Sequence, residues 1–157
     1  MRVFGLSHRM QVVAVLFAVV VVFCVWAKID FAVTGLNGNY LAEENLGAYW
    51  FWMWDVGVIV TGFVLALSYY AGASDTERNE VYAVGIFLTV IVLLLGQFED
   101  FLYFVLNGVP FPSGDWTWMP LYGVLGTWTT GMHFVTLFCS FVAVAVLWYF
   151  IFEVYEP

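Results

Sequence analysis

The chain has 157 residues, 64% of them hydrophobic and 10% charged, with a formal net charge of -8. So apolar a composition excludes an ordinary soluble domain. An acidic balance with only four basic residues also excludes nucleic-acid binding, which depends on Lys and Arg neutralising phosphate.

Four apolar runs, at residues 10–26, 49–70, 81–106 and 121–152, approach or exceed the about 20 residues that cross about 30 Å of hydrocarbon. They predict one all-α domain over residues 1–157, a polytopic membrane protein folded as a four-transmembrane-helix bundle with the lipid bilayer as its partner. The first run follows Arg2 and Arg9 but lacks a small-x-small cleavage site, so it reads as a retained helix. It is Val-rich and free of polar side chains from Val12 to Ala27, which suits contact with lipid. The loop after it carries Gly and Asn turn formers, and Glu43 and Glu44 read as solvated charges.

The second run opens on "YWFWMWD", an aromatic cluster of the kind that collects at a membrane surface, with Asp55 just inside it. Ser74 or Asp75 in the next connection is placed to cap the third helix. After the third run, "NGVPFPSGDWTWMP" reads as a hairpin anchored at the interface by Trp116 and Trp118, with a folded-back lid as the alternative. Arg2, Arg9 and Arg78 fall on one side of this topology and Lys28 on the other. The positive-inside rule then puts both termini of a multi-pass cell-membrane protein in the cytoplasm. Cys24 and Cys139 have no metal-ligand spacing and read as small buried hydrophobes.

Ionisable residues at membrane depth are costly and normally face a partner in the protein interior. Asp55, Glu99, Asp100 and His133 qualify. Counting along the runs at about 1.5 Å per residue places all four in one layer of the outer leaflet. Helical spacing groups Thr129, Thr130, His133 and Thr136 on one stripe of the fourth helix, and Asp100, Tyr103 and Asn107 on one stripe of the third. Trp52, one turn from Asp55, joins Tyr103, Asn107, Thr129, Thr130 and Thr136 as candidate supports around the four. Below that layer the runs are nearly devoid of polar side chains, which points to a pocket open to the outer side rather than a channel.

Three carboxylates and one imidazole form a ligand set suited to a divalent metal such as iron, manganese or zinc. A second reading is metal-free acid–base catalysis on a lipid or isoprenoid held among the aromatic side chains. The third is a buried polar network that fixes helix register in a homo-oligomer or in a subunit of a membrane complex. A single intramembrane histidine cannot supply two axial ligands, which argues against haem.

At "EDFLYFVLNG" the chain resembles uncharacterised small prokaryotic four-helix membrane proteins, whose third helix carries Glu-Asp-Phe-Leu, aromatic residues and Asn-Pro. The resemblance covers Glu99 to Gly108 and implies that Glu99, Asp100 and Asn107 belong to one unit. Asn107 is followed here by Gly108, with Pro110 two residues further on, so the Asn-Pro step is not reproduced.

Overall fold

A computed structural model of the protein describes residues 8–35, 51–73, 78–117, 119 and 122–154. Glu43, Glu44, Ser74, Asp75 and Trp118 lie outside the described residues, as do the side chains of Trp54 and Asp55. Among the described residues all regular structure is helical. Helix α1, His8–Asp30, runs on into a π-helical turn, Phe31–Gly35. Helix α2, Ile59–Gly72, is entered through the π-helical segment Phe51–Val58. Next come α3, Asn79–Leu95, and α4, Phe98–Asn107. A single turn, α5, Tyr122–Leu125, precedes α6, Thr130–Tyr149, which ends in π-helical Phe150–Val154.

Among the described residues, two helices are long and apolar enough to cross a membrane, Arg9–Thr34 with 26 residues and Thr130–Glu153 with 24. Residues 81–106 are not the straight helix that their composition predicts. They break between α3 and α4, whose axes differ by 66°. Gly96 and Gln97 make the break, and Gln97 takes a left-handed backbone conformation, φ 57°, that costs a side-chain-bearing residue roughly 1–2 kcal/mol. The apolar run at 121–152 also begins its long helix later than predicted. Gly126 adopts φ +73° and Thr129 an extended conformation, so continuous helix starts only at Thr130.

The helices pack antiparallel. At one end, Arg9 donates to the Phe152 carbonyl (3.0 Å) and to Glu153 Oε1 (3.4 Å), joining the start of α1 to the end of α6. The ring of Tyr82, at the start of α3, meets Tyr69 of α2 at that same end and also reaches Phe152. At the other end, Lys28 donates to the Leu106 carbonyl (2.7 Å) and to Asn107 Oδ1 (2.8 Å), tying the end of α1 to the end of α4.

Between these ends the core is apolar: Val19, Phe23, Ile86, Val90, Leu93 and Leu102 are buried together. Phe98 wedges between Phe23 and Phe141, at 5.4 Å from each ring. Phe138, Phe141 and Val142 of α6 stay exposed, as hydrocarbon solvent permits. Cys139, expected to be buried, lies on that exposed face, while Cys24 is half-buried.

Among the close helix contacts that depend on a missing Cβ, two bear on the break and its neighbour α2. A Cβ at Gly62 would lie 2.8 Å from Val90 Cγ1, so α2 and α3 approach closely there. A Cβ at Gly96 would collide with Ser140, which brings α6 against the break itself.

Candidate functional site

The break divides the expected constellation into two settings on different faces of α4. At about 100° per residue, Gln97, Phe101 and Phe104 share one face, while Glu99 and Tyr103 lie on roughly the opposite one. The contacts follow this division. Phe101 and Phe104 meet Phe111, and Phe101 also meets Phe134 of α6. Tyr103 meets Phe31 at the end of α1, edge to face at 5.6 Å.

On the α1 side sits an acidic seam. Glu99 is 4% exposed, and its Oε1 has no hydrogen-bond partner. Asp30 and Asp100 both lie within charge–charge range of it. Asp30 is buried at the end of α1, and Asp100 is half-buried in the first turn of α4. Thr34 lies within hydrogen-bonding reach of the Tyr103 hydroxyl and itself donates to the Asp30 carbonyl at 2.8 Å. The Lys28 ammonium, one turn away, is directed to Leu106 and Asn107 rather than to the carboxylates.

His133 belongs to the other setting. It is fully buried, and its Nδ1 donates to Gln97 Oε1 across 2.9 Å. The amide oxygen can only accept, so in this pairing Nδ1 carries the proton. Nε2 is buried without a partner. Trp116 stacks on the imidazole at 4.6 Å with 29° between the planes.

Trp116 was expected at the interface but is 0% exposed, because the described residues between Gly108 and Thr129 fold back over the imidazole as a cap. The indole donates to Thr130 Oγ1 (3.1 Å), which in turn donates to the Pro112 carbonyl (2.6 Å). The Trp116 amide pairs with the Trp128 carbonyl at 2.7 Å, and Asp115 Oδ1 accepts from Thr127 Oγ1 at 2.7 Å. Phe104, Trp116, Met119 and Trp128 form a small aromatic core of their own.

The expected supports divide in the same way. Thr130 holds the cap, while Thr129 caps α6 by accepting from the Met132 N–H, and Thr136 donates to the Met132 carbonyl of its own helix. Asn107 ends α4, bridging Tyr103, Ala27 and Lys28. Trp52 is 65% exposed rather than turned toward the acids. An apolar groove of about 370 Å³ lies between α3 and α6, lined by Val84, Gly85, Leu88 and Ile151, at the opposite end from the seam.

Among the described residues, no three His, Cys, Asp or Glu side chains converge closely enough to hold a metal ion. The structure therefore does not bring His133 into one set with Glu99 and Asp100, and the side chain of Asp55 is not described. Sequence reasoning missed Asp30, Gln97 and Lys28. Asp30 and Lys28 stood just beyond the predicted end of the first helix, and Gln97 lay two residues before the acid pair in an otherwise apolar run.

Comparison with protein-family models, curated proteins and solved structures returned no match to this chain.

Proposed function

We propose that the protein is a four-span integral membrane protein, with both termini cytoplasmic, that binds a cation at Glu99, the buried acid of the seam in its outer half. The bent pair α3–α4 serves as one span in this reading, and the helix Val56–Gly72 as another. One observation carries the proposal. Glu99 is a buried carboxylate with an unpartnered oxygen, and Asp100 and Asp30 lie within charge–charge range of it. Lys28, which might have balanced them, is committed elsewhere. Broken spans are where membrane proteins place ion and substrate sites, because the break puts free backbone groups and helix ends at depth.

The ligand set here is oxygen-only. His133 lies on the other face of α4, which shifts the preference from zinc or iron to a hard cation such as manganese, magnesium or calcium. One or two carboxylates at a time, with main-chain carbonyls and water completing the shell, match the way such ions are held. The same separation weighs against acid–base catalysis by Glu99 and His133 acting together, since they do not face one reacting atom.

Thermal unfolding of detergent-purified protein, titrated with Mn²⁺, Mg²⁺, Ca²⁺ and Zn²⁺, tests the reading. A cation at one hundred times its Kd should add about 2.7 kcal/mol of stability. Expected is saturable stabilisation by one or more of the hard cations, abolished in Glu99→Gln. No stabilisation by any of them, or stabilisation that survives Glu99→Gln, would overturn it.

A further inference from the structure

The break between α3 and α4 stands against two preferences of the chain. Gln97 occupies the left-handed region, φ 57° and ψ 37°, which a residue with a Cβ disfavours. The bend also interrupts the backbone ladder. The Gln97 N–H turns back to the Leu94 carbonyl at 2.9 Å, and the next ladder bond, from the Phe101 N–H to the Gln97 carbonyl at 3.3 Å, already belongs to α4. Inside a bilayer no water replaces the backbone bonds that a straight helix would make. A straight continuation of α3 would relieve both penalties, so the bend needs an anchor.

One side-chain hydrogen bond ties Gln97 to another helix. His133 Nδ1 donates to Gln97 Oε1 across 2.9 Å, and the two residues are 0% and 9% exposed. Water does not compete for a bond so deeply buried, which raises the cost of losing it. The imidazole is itself held in place, since Trp116, also fully buried, stacks on it at 4.6 Å. Phe98 packs beside the break between Phe23 and Phe141, but apolar packing is non-directional, whereas a hydrogen bond fixes where the amide points. The same bond fixes the acid. Glu99 follows Gln97 by two residues, about 200° round the helix, so drawing Gln97 to α6 turns Glu99 to the α1 side, within charge–charge range of Asp30.

From this geometry we infer that His133 and Gln97 are positioning residues for Glu99: their bond is the latch that keeps α4 bent and the acid in the seam. The effect of the latch on cation binding rests on the seam being a cation site; its effect on the bend does not. His133 touches no cation. It sets the share of molecules in which α4 is bent, and apparent cation affinity falls in proportion to that share. A fully buried histidine that stands apart from the acids thereby acts on them through the backbone.

Glycine distinguishes a latch from ordinary packing. It adopts positive φ without a Cβ penalty, so Gln97→Gly should hold the bend with no help from His133. Nitroxide labels at Val84→Cys on α3 and Val105→Cys on α4, both exposed positions, report the bend by electron–electron distance in full-length protein whose Cys24 and Cys139 are replaced by alanine. The 66° bend shortens that separation by about 5 Å relative to a straight helix rising about 1.5 Å per residue. His133→Phe, which keeps a flat buried ring, and Gln97→Leu should each lengthen the distance by about 5 Å. In unlabelled protein each should weaken the binding of Mn²⁺, Mg²⁺ or Ca²⁺, read by thermal unfolding, by about tenfold as the bent share falls to about one tenth. Gln97→Gly combined with His133→Phe should restore both the short distance and the affinity. An unchanged distance in both single variants, a lengthened distance that glycine does not restore, or a lengthened distance with undiminished affinity would overturn the inference. A parent protein that binds none of the three cations would overturn the cation site instead, and the distances would then decide the latch by themselves.

Discussion

Replacing Gly96 by alanine sets two effects of opposite sign against each other. The backbone there, φ -74° and ψ -2°, suits any residue, so on intrinsic grounds alanine should stabilise by about 0.5–1 kcal/mol. Packing opposes this. The added Cβ would collide with the Oγ and Cβ of Ser140 and lie 3.2 Å from the Val92 carbonyl. Ser140 cannot swing aside without cost, because its hydroxyl is bonded to the Leu137 carbonyl at 2.7 Å and its Cβ is fixed to α6. Overpacking of this kind costs about 1–3 kcal/mol, so the net expected result is destabilisation of about 1 kcal/mol, the middle of a range of about 0–2.5 kcal/mol. Reversible unfolding in mixed detergent micelles measures it. Ser140→Gly removes the obstacle, so Gly96→Ala placed on that background should recover its intrinsic gain, a coupling of more than about 1 kcal/mol in a double-mutant cycle. A Gly96→Ala protein more stable than the parent, or a cycle with no coupling, would refute the close approach of α6 to the break.

Trp148 Nε1 donates to Thr89 Oγ1 across 2.9 Å in the buried half of the α3–α6 contact, and Thr89 itself donates to the Gly85 carbonyl. Trp148→Phe should therefore cost about 1–2 kcal/mol in the same unfolding assay, and a neutral result would place the indole elsewhere. Truncation of Trp116 to alanine empties a fully buried site and should cost about 3–5 kcal/mol, but only in the cap. Hydrogen exchange should show faster exchange of the Val109 and Trp128 amides with α2 and α3 unchanged. Uniform loss of protection would mean that the cap is not a separate unit.

Membrane character and the helical class were legible because they depend only on the length and composition of the apolar runs. The break at Gly96–Gln97 was not. Every residue from Val81 to Leu106 except Gly96, Gln97, Glu99 and Asp100 is compatible with one straight span, and glycine alone does not mark a break in lipid-facing sequence. What breaks the helix is tertiary. Ser140 presses at Gly96, and the Gln97 side chain is held by His133 thirty-six residues away. Of the residues that depth counting singled out, Glu99 and His133 are buried and Asp100 is half-buried. The counting assumed one helical phase through residues 81–106, so it could not see that the bend places the imidazole and the acids on different faces of α4. Trp116 illustrates the opposite error. A tryptophan beside prolines resembles an interface anchor, and only the fold-back of the cap turns it inward.

The bend also explains why two adjacent acids are found in so apolar a run. A straight span would expose them to lipid at a cost of roughly 2.5–3.5 kcal/mol each. With the span broken after Leu95, they occupy the first turn of α4. There the N–H groups lack helical partners and the positive end of the helix dipole favours negative charge. Asp100 occupies that first turn, half-buried, where a negative charge is favoured. Glu99 is buried with an oxygen unpartnered, within charge–charge range of both Asp100 and Asp30. Favouring the helix end alone would call for one acid, placed as Asp100 is placed. The second acid, buried and within charge–charge range of a third, adds repulsion that the helix end does not relieve, and it is this second carboxylate that a bound cation would satisfy.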